Sequence, residues 1–372
     1  MKFFDLFKYS YTFKKIKKKK VILFHSANLE SLSKIINKKE IEQINFTNEV
    51  NLRIIFSLIF KKINLFNYCE SYIRLCDPEF VVTFIDNNAV FYNLKNRFKN
   101  KKFISIQNGI RRDFNFQNFE KKNCKSDELF IFGAGFRELY KKKVQSKINV
   151  IGSFKNNLYV KKFKIIKNSI GYISQYRNTK KNHFYTRLNG KNLTSDDLVM
   201  QENKLLNIIG NFAYKNNLSL NIIGVSDTNL EIQYYKNILK NIKFNFLKKR
   251  KIDCSYKNIS KMQYIVTFDS TLGYEALSRF KKVIFLNRFS KLAQFRFGWP
   301  LIKKKNGFNF SNDISSKNFE KMFKNLKNIS ELEWRRKIKS EYKDLIVWDK
   351  DNQIFKNKLK KMGFKNNNQL LN

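Results

Sequence analysis

The sequence predicts an α/β fold in which two domains are each built on a mainly parallel sheet. The chain has 372 residues, of which 42% are hydrophobic, and this exceeds what one hydrophobic core ordinarily holds. Short apolar runs alternate with helical patterns through the first half, as in a sheet that is covered by helices on both faces. The alternation begins again after Gly152. We therefore expect two Rossmann-like domains with a cleft between them.

Six apolar runs of the first half have the length and composition of buried strands. They lie at residues 21–25, 44–46, 80–85, 103–107, 129–132 and 148–151. Helical patterns lie between them, the longest at 51–76. Polar residues follow three of the strands, at Asn28, Asp86 and Asn108. Because ligands of open α/β sheets bind beyond the carboxyl ends of the strands, we expect a site there.

The second half repeats this pattern with five strand-like runs and four helical segments. The strands are predicted at 170–174, 218–224, 244–247, 264–268 and 283–286, and the helices at 195–215, 231–240, 255–261 and 274–279. Asp196 and Asp197 stand in the first turn of the longest helix, so we interpret them as capping residues. The predicted domains are 1–150 and 151–317, followed by a polar helical tail at 318–372.

The formal net charge of +45 suggests a polyanionic partner at first sight. However, Lys far outnumbers Arg, and Asn, Ile and Phe are enriched with it, as codon choice in an AT-rich genome would produce. The chain carries no RNP pattern and no zinc finger, so we expect no specific nucleic-acid binding. The excess charge still favours anionic substrates and anionic membrane surfaces.

The sequence predicts a cytoplasmic protein with at most a peripheral contact at the inner membrane face. The N-terminal stretch lacks the apolar segment of a signal peptide, and the longest apolar run, 54–60, is far below the ~20 residues of a spanning helix. Residues 1–20 combine aromatic side chains with the basic run 17–20, which would suit a membrane surface. They would equally serve as a solvated lead-in to the first strand. The four cysteines form no metal or disulfide pattern, so we expect reduced thiols.

The most informative motif is a strand that runs directly into a helix, with the sequence MQYIVTFDSTLGYEAL at 262–277 and KKVIFL at 281–286. Asp269, Ser270 and Thr271 stand at the start of this helix. Unpaired backbone N–H groups at a helix N-terminus form an anion site, which would suit the diphosphate of a nucleotide-sugar. The alternative is that Asp269 and Ser270 only cap the helix.

This motif resembles the donor-site region of the CDP-glycerol:polyglycerophosphate transferases and of related GT-B polysaccharide enzymes. Two further segments agree in order. INVIGSFKN at 148–156 resembles the segment that closes the first domain of those enzymes, and GYISQYR at 171–177 resembles the first strand of their second domain with its substrate-facing loop. The chain is also similar to surface carbohydrate biosynthesis proteins, which act in lipopolysaccharide, O-antigen or capsule synthesis. The resemblance implies a GT-B glycosyltransferase that moves a sugar from a nucleotide-activated donor to a glycan or lipid-linked acceptor.

One segment departs from that family. ISIQNGIR at 104–111 occupies the place where the teichoic-acid transferases carry a Trp-His-Gly motif, whose His is the expected base. Asn108 stands in place of the His and cannot take up a proton at neutral pH. The departure favours sugar transfer over polyol-phosphate transfer.

The resemblance implies a donor site in the second domain and an acceptor site in the first. The donor-binding residues would be Gly152, Ser174, Gln175, Arg177, Asp269, Ser270, Thr271 and Gly273. The acceptor-binding residues would be Gln107, Asn108, Gly109 and Arg111. The catalytic candidates are His25, Asp86, Asn108 and Glu275, with Asp113 as a further competitor for the role of base.

We expect neither a cofactor nor a metal ion, because a helix dipole and Arg side chains would stabilise the departing diphosphate. Asp349 and Asp351 fit the DxD pattern of metal-dependent glycosyltransferases, but they lie in the polar tail and are interpreted as a solvated turn. Two other functions remain open. A UDP-sugar 2-epimerase would use the same fold, and a basic nucleic-acid or membrane-surface protein would need no catalytic site.

Overall fold

The computed structural model describes residues 10–25, 28–45, 49–116, 119–159, 161, 163–177, 184–188, 191–226, 228–249, 252–268, 270–287, 297–298 and 301–365. The chain forms two compact units: unit 1 comprises Met1–Leu158 and Val347–Asn372, and unit 2 comprises Tyr159–Ile346. The first stretch of unit 1 ends at Leu158, eight residues beyond the boundary expected at residue 150. The segment predicted as a separate tail is shared between the two units.

Unit 1 is built on a six-stranded parallel sheet. The strands of this unit are β1 (Ser10–Thr12), β2 (Val21–Phe24), β3 (Ile41–Ile44), β4 (Glu49–Asn51), β5 (Phe80–Thr83), β6 (Lys102–Ile106), β7 (Lys125–Ile131) and β8 (Gln145–Val150). The sheet has the order β3-β2-β5-β6-β7-β8, and β1 pairs with β4 outside it. Five of the predicted strands are present in the sheet, the one predicted at 44–46 lies earlier, at Ile41–Ile44, and the α/β class is confirmed for this half.

Short helices connect the strands of unit 1. They are α1 (Leu29–Leu32), α2 (Leu52–Ser57), α3 (Leu65–Cys76), α4 (Ala89–Leu94), α5 (Arg137–Lys141) and α6 (Phe154–Leu158). The prediction of one continuous helix over 51–76 is wrong, since a turn separates α2 from α3. The side chain of Asn64 accepts a hydrogen bond from the Asn67 N–H at 2.9 Å and thereby begins a new helix.

The central strand β2 is apolar and buried along its whole length because both faces of the sheet are covered there. In β2, Val21 and Leu23 pack into one hydrophobic cluster, whereas Ile22 and Phe24 pack into the cluster on the opposite face. Each cluster draws in residues of the helices that cover it. A continuous apolar run therefore gives a central strand here, and the sheet holds the loops at its carboxyl end in fixed positions.

Unit 2 is built on a second six-stranded parallel sheet, in the order β13-β12-β9-β14-β15-β16. The strands of this sheet are β9 (Ile166–Ile173), β12 (Ser219–Ile223), β13 (Asn245–Leu247), β14 (Met262–Thr267), β15 (Lys282–Leu286) and β16 (Phe310–Ser311). Two more strands, β10 (Phe184–Leu188) and β11 (Lys191–Thr194), form a separate antiparallel hairpin. The five predicted strands are confirmed. The hairpin and β16 were not predicted, because the polar composition of the hairpin resembles a loop and β16 has only two residues.

The helices of unit 2 are α7 (Ser195–Lys215), α8 (Asn229–Leu239), α9 (Ile252–Lys261), α10 (Thr271–Ser278), α11 (Ser316–Asn328) and α12 (Glu331–Glu341). Asp197 forms a capping box with Thr194 at the start of α7, so the capping interpretation of the acidic pair is confirmed for Asp197. Two parallel six-stranded sheets, one in each unit, confirm the predicted two Rossmann-like domains.

The last helix of the chain, α13 (Gln353–Lys361), returns to unit 1. Phe355 and Leu359 of this helix pack against Phe154 and the strand residues of one face of the sheet. Next to it, Gly152 forms an isolated antiparallel bridge with Trp348. Gly152 has φ of +75°, and a Cβ at this position would stand 2.0 Å from the carbonyl oxygen of Val347. Gly152 was expected in donor binding, but its lack of a side chain has a packing reason within unit 1.

Gly152→Ala should lower the free energy of unfolding by about 2 to 3 kcal/mol, because a left-handed backbone and a clash with a carbonyl act together. Urea denaturation measures the change. Gly363→Ala is the matched control, since Gly363 has φ of +88° but no atom within 4 Å of the added Cβ. An equal loss in the two variants would contradict the packing explanation.

Within the described ranges no helix has the length and apolar composition needed to cross a membrane. The four cysteines are unpaired, with Cys69, Cys76 and Cys124 buried. Burial raises the pKa of the Cys69 thiol, which keeps it protonated and unreactive.

Candidate functional site

Three loops meet at the carboxyl end of the unit 1 sheet, where β2, β5 and β6 are neighbours. His25 follows β2, Asp86 lies beyond β5, and Asn108 lies beyond β6. The side-chain amide of Asn28 donates a hydrogen bond to Oδ1 of Asn108 at 3.1 Å. The backbone N–H of Asn108 donates to Oδ1 of Asp86, also at 3.1 Å. These two bonds join the three loops into one polar cluster.

Asp86 is the centre of this cluster and is fully buried. Its Oδ2 accepts hydrogen bonds from Nε of Arg111 at 2.7 Å and from the hydroxyl of Tyr140 at 2.6 Å. Its Oδ1 accepts from the Asn108 N–H and from Nη2 of Arg111, which also forms an ion pair with it. A carboxylate offers about four acceptor positions, and four donors occupy them here.

These contacts argue against the predicted role of Asp86 as a catalytic base. A base needs an oxygen that faces the substrate, and both oxygens of Asp86 are directed to protein donors. The carboxylate instead fixes the guanidinium of Arg111 and the backbone at Asn108. Arg111 is therefore held by an intramolecular partner, and only its remaining N–H groups could reach an acceptor molecule.

His25 ends β2 in a left-handed conformation, with φ of +76°, while its N–H donates to the carbonyl of Ile44 at 2.9 Å. The residue is half-buried. Burial lowers the pKa of His25 below its usual 6.5. The imidazole is consequently neutral at neutral pH, which is the form that a general base requires.

Gln107 and Gly109, both assigned to acceptor binding, are buried at the end of β6. The Gln107 side chain donates from Nε2 to the Gly109 carbonyl at 2.8 Å, and its Oε1 accepts from the Phe132 N–H at 2.8 Å. Gln107 thus ties the loop after β6 to the end of β7. This leaves Asn108, between them and half-buried, as the residue of the segment best placed to meet a ligand.

Asp113, the other carboxylate considered for unit 1, lies in a short 3₁₀ turn beyond the cluster. Its side chain is largely exposed and forms an ion pair with Lys143 at 3.4 Å. Asp113 therefore lies in solvent beside a lysine, and no contact among the described residues joins it to the Asp86 carboxylate.

In unit 2, Ser174 and Gln175 follow β9 at the carboxyl end of the sheet. The Ser174 hydroxyl donates to Oε1 of Glu231 and accepts a hydrogen bond from the Tyr176 N–H at 3.2 Å, and the Tyr235 hydroxyl lies 2.8 Å from it. The Ser174 hydroxyl, expected in donor binding, therefore has partners within the protein. Arg177, three residues further along, is exposed.

The sequence analysis did not identify Glu231, which binds the Ser174 hydroxyl after β9 and the backbone of the loop after β12. It is fully buried at the start of α8 and accepts hydrogen bonds from the backbone N–H groups of Val225 and Ser226 at 3.0 and 2.9 Å. A second buried carboxylate, Glu202, accepts from the hydroxyls of Tyr172 and Tyr235 at 2.6 and 2.8 Å. No sequence signal marks either residue, because each glutamate belongs to a helix where an exposed acid would be ordinary.

The N-terminus of α10 lies just beyond the carboxyl end of β14. Ser270 is the N-cap residue, and its side chain makes no capping hydrogen bond. The carbonyl of Ser270 accepts from the Gly273 N–H at 2.9 Å. Among the described residues, the N–H groups of Thr271 and Leu272 have no acceptor. Asp269, the remaining residue of the motif, lies outside the described residues.

Gly273 permits close packing at this point. A Cβ on Gly273 would stand 2.6 Å from Cγ2 of Thr267 and 3.1 Å from Cε1 of Phe285. The glycine therefore lets α10 lie directly on β14 and β15, which brings the helix start to the end of the strands. Gly273 was expected in donor binding, and its lack of a side chain has a packing reason here.

Glu275 lies in the interior of α10 and is 6% exposed. It accepts a hydrogen bond from the hydroxyl of Tyr256, whose pKa is raised by burial and by the Glu275 carboxylate. The structure thus provides Glu275 with a protein partner, as it does for Asp86. His25 is the catalytic candidate that remains compatible with the role of a base.

The described residues contain no group of three or more His, Cys, Asp and Glu side chains arranged to hold a metal ion. Asp349 of the DxD sequence accepts a hydrogen bond from the Ile354 N–H at 3.0 Å at the start of α13. Through this contact Asp349 has a role in the local structure at the start of α13.

The model of the protein family described as "putative O-antigen biosynthesis protein" matches residues 104–363, which is well over half of the chain. No curated protein matches the sequence.

Several solved structures share the fold along nearly the whole chain. A UDP-GlcNAc 2-epimerase from Neisseria meningitidis, solved bound to UDP-GlcNAc, has a TM-score of 0.54 at 12% identity, covering 92% of this chain and 99% of its own. The Methanocaldococcus jannaschii UDP-GlcNAc 2-epimerase, solved with UDP-GlcNAc and UDP, has a TM-score of 0.53 at 14% identity, with coverage of 92% and 99%. A variant of the wall teichoic acid polymerase TagF has a TM-score of 0.50 at 13% identity, with coverage of 94% and 90%. At these identities the likeness is one of fold.

Proposed function

Because the chain belongs to this family of O-antigen biosynthesis proteins, we propose that it is a GT-B glycosyltransferase. In this proposal it transfers a sugar from a nucleotide-activated donor to a glycan or lipid-linked acceptor of the surface polysaccharide. The donor diphosphate binds at the N-terminus of α10, and the acceptor binds at the Asn108 cluster of unit 1. The reaction uses no metal ion and takes place at the inner face of the membrane.

The start of α10 is the observation that carries the proposal. The N–H groups of Thr271 and Leu272 have no acceptor among the described residues, and the Ser270 side chain does not fill the place of one. The positive end of the helix dipole and two hydroxyls add to these donors. A diphosphate supplies acceptor oxygens for these N–H groups. Its negative charge rises as the bond to the sugar breaks, so stabilising that charge accelerates the reaction.

Unit 1 supports sugar transfer over polyol-phosphate transfer. Asn108 can orient an acceptor hydroxyl but cannot remove its proton. His25 lies on the neighbouring loop and is neutral at neutral pH because of its lowered pKa. We assign the proton transfer to His25 and the orientation of the acceptor to Asn108. Arg111, held by Asp86, supplies a fixed positive charge beside them.

The double variant Ser270→Ala and Thr271→Ala should weaken nucleotide binding about ten- to a hundredfold, since each lost hydrogen bond to a charged phosphate costs roughly 1.5 to 3 kcal/mol and solvent recovers part of it. A thermal-shift screen of UDP, CDP, GDP and dTDP first identifies the base. A ligand at a hundred times its Kd adds about 2.7 kcal/mol of stability, which is readily seen. Affinity is then measured by calorimetry.

Ser340→Ala provides the control, because it removes an exposed helix hydroxyl of the same unit. It should leave nucleotide affinity unchanged. Wild-type affinity in a folded double variant would rule out the donor site at α10. The epimerase alternative is separated by mass analysis of products, since an epimerase would change the sugar of the donor with no acceptor present.

A further inference from the structure

Unit 1 exposes large apolar side chains after β1, on α2 and just after α2. Phe13, Phe56, Ile59 and Phe60 are 58%, 60%, 68% and 99% exposed, respectively, and we refer to these four residues as the aromatic surface. Isolated apolar residues are common on proteins, but a local group of this kind usually marks an interaction site. The Phe60 side chain is almost completely exposed, so its ring adds almost no buried apolar area to the folded unit.

The aromatic surface is held in place by the interior of unit 1. Ile54 and Leu58 are fully buried and anchor α2 and the turn that follows it. On the outer side of the same segment, the ring of Phe56 lies 6.2 Å from that of Phe13, which follows β1. Arg53 joins the two segments, since its Nε donates to the Phe13 carbonyl at 3.1 Å and its guanidinium lies 4.6 Å from the Phe13 ring. The exposed rings therefore project from a fixed base.

The two chain segments that carry the aromatic surface are rich in positive charge. The segments 10–20 and 50–63 contain no Asp or Glu. Their exposed cations are Lys14, Lys15, Lys17, Lys18, Arg53, Lys61 and Lys62. None of these seven forms a salt bridge with the described residues. Lys19 and Lys20 differ, because their ammonium groups donate to the carbonyls of Lys39 and Lys365.

We propose that the aromatic surface and its seven cations bind the surface of an anionic phospholipid membrane. Phenylalanine rings insert at the boundary between headgroups and acyl chains, and Lys and Arg contact anionic headgroups beside them. Charge complementarity selects this occupant over a second copy of the chain, because a symmetric dimer through this surface would bring the two sets of cations together. The surface lies within unit 1 and is distinct from the nucleotide site of unit 2, so the proposal stands independently of the donor chemistry.

The test measures binding of the full chain to vesicles by co-sedimentation at 0.1 M salt. Vesicles of phosphatidylcholine with 30% phosphatidylglycerol, a proportion of about one lipid in three, should bind the protein, and vesicles of phosphatidylcholine alone should bind it at least about tenfold more weakly. Phe56→Ser combined with Phe60→Ser should lower binding to the anionic vesicles about tenfold or more. Lys61→Glu combined with Lys62→Glu should do the same, and that difference should shrink as salt rises.

Two control variants make the same changes elsewhere. Tyr214→Ser combined with Leu332→Ser removes two exposed apolar side chains of unit 2, and Lys304→Glu combined with Lys305→Glu makes the same charge change there. Both should bind vesicles as the wild type does. The proposal is overturned if the Phe56 and Phe60 variant binds as the wild type does, or if the unit 2 variants lose as much. It is also overturned if a random DNA duplex competes fully with vesicles for the wild type but not for the Phe56 and Phe60 variant, which would assign the surface to nucleic acid.

Discussion

Arg111→Met should lower the free energy of unfolding by roughly 3 to 5 kcal/mol, the cost of leaving a buried carboxylate without its cation. Asp86 is fully buried, and Arg111 supplies two of its four hydrogen bonds together with the neutralising charge. Burial by itself would lower the pKa of Arg111, but the Asp86 carboxylate outweighs burial and raises it, so Arg111 stays charged. Urea denaturation followed by circular dichroism measures the change.

Arg74→Met is the control for this prediction. Arg74 forms an ion pair with Glu70 at 2.6 Å, but its side chain is largely exposed, and exposed helix pairs contribute well under 1 kcal/mol. A loss for Arg111→Met no larger than that for Arg74→Met would show that Asp86 does not depend on this cation. Its assignment as a structural anchor would then be wrong, and a catalytic role for the carboxylate would have to be reconsidered.

The sheets could be predicted from the sequence because covered parallel strands leave a simple signal. Runs such as 80–83 and 103–106 are mostly apolar and lack the regular polar alternation of a half-exposed strand, as expected where both faces of a strand are buried. Helix ends were harder to predict. The break at Asn64 depends on a side-chain cap that competes with continued helix, and apolar periodicity on both sides of it conceals the competition.

The candidate site was predictable only to the level of which loops form it. The rule that ligands bind beyond strand ends correctly indicated Asp86 and Asn108 as neighbours. It could not indicate that Arg111 and Tyr140, 25 and 54 positions from Asp86, would occupy the carboxylate. The same limit applies to Ser174, which follows β9 and whose hydroxyl donates to Glu231 of α8. Partners of this kind follow from the packing of distant segments, which local sequence patterns do not encode.

His25→Asn should reduce the rate of sugar transfer by about 10²- to 10⁴-fold while leaving nucleotide binding intact, as expected for the loss of a general base. Asparagine is the appropriate replacement because, like few other residues, it tolerates the left-handed conformation that His25 adopts, with φ of +76°. The rate is measured as release of the nucleoside diphosphate from the donor that the thermal-shift screen identifies. Asn108→Ala should also reduce transfer and spare nucleotide binding.

The pH profile distinguishes these two variants. Neutral His25 is the active form, and burial lowers its pKa below 6.5, so the wild-type rate should fall only as the pH drops below that value. Asn108→Ala should keep this acidic limb at a lower rate, because an amide does not titrate. His25→Asn should lose the limb together with the rate. If His25→Asn retains near wild-type activity while Glu275→Gln is folded and inactive, the base is the carboxylate on α10, and both the position of the acceptor and the role of His25 must be reassigned.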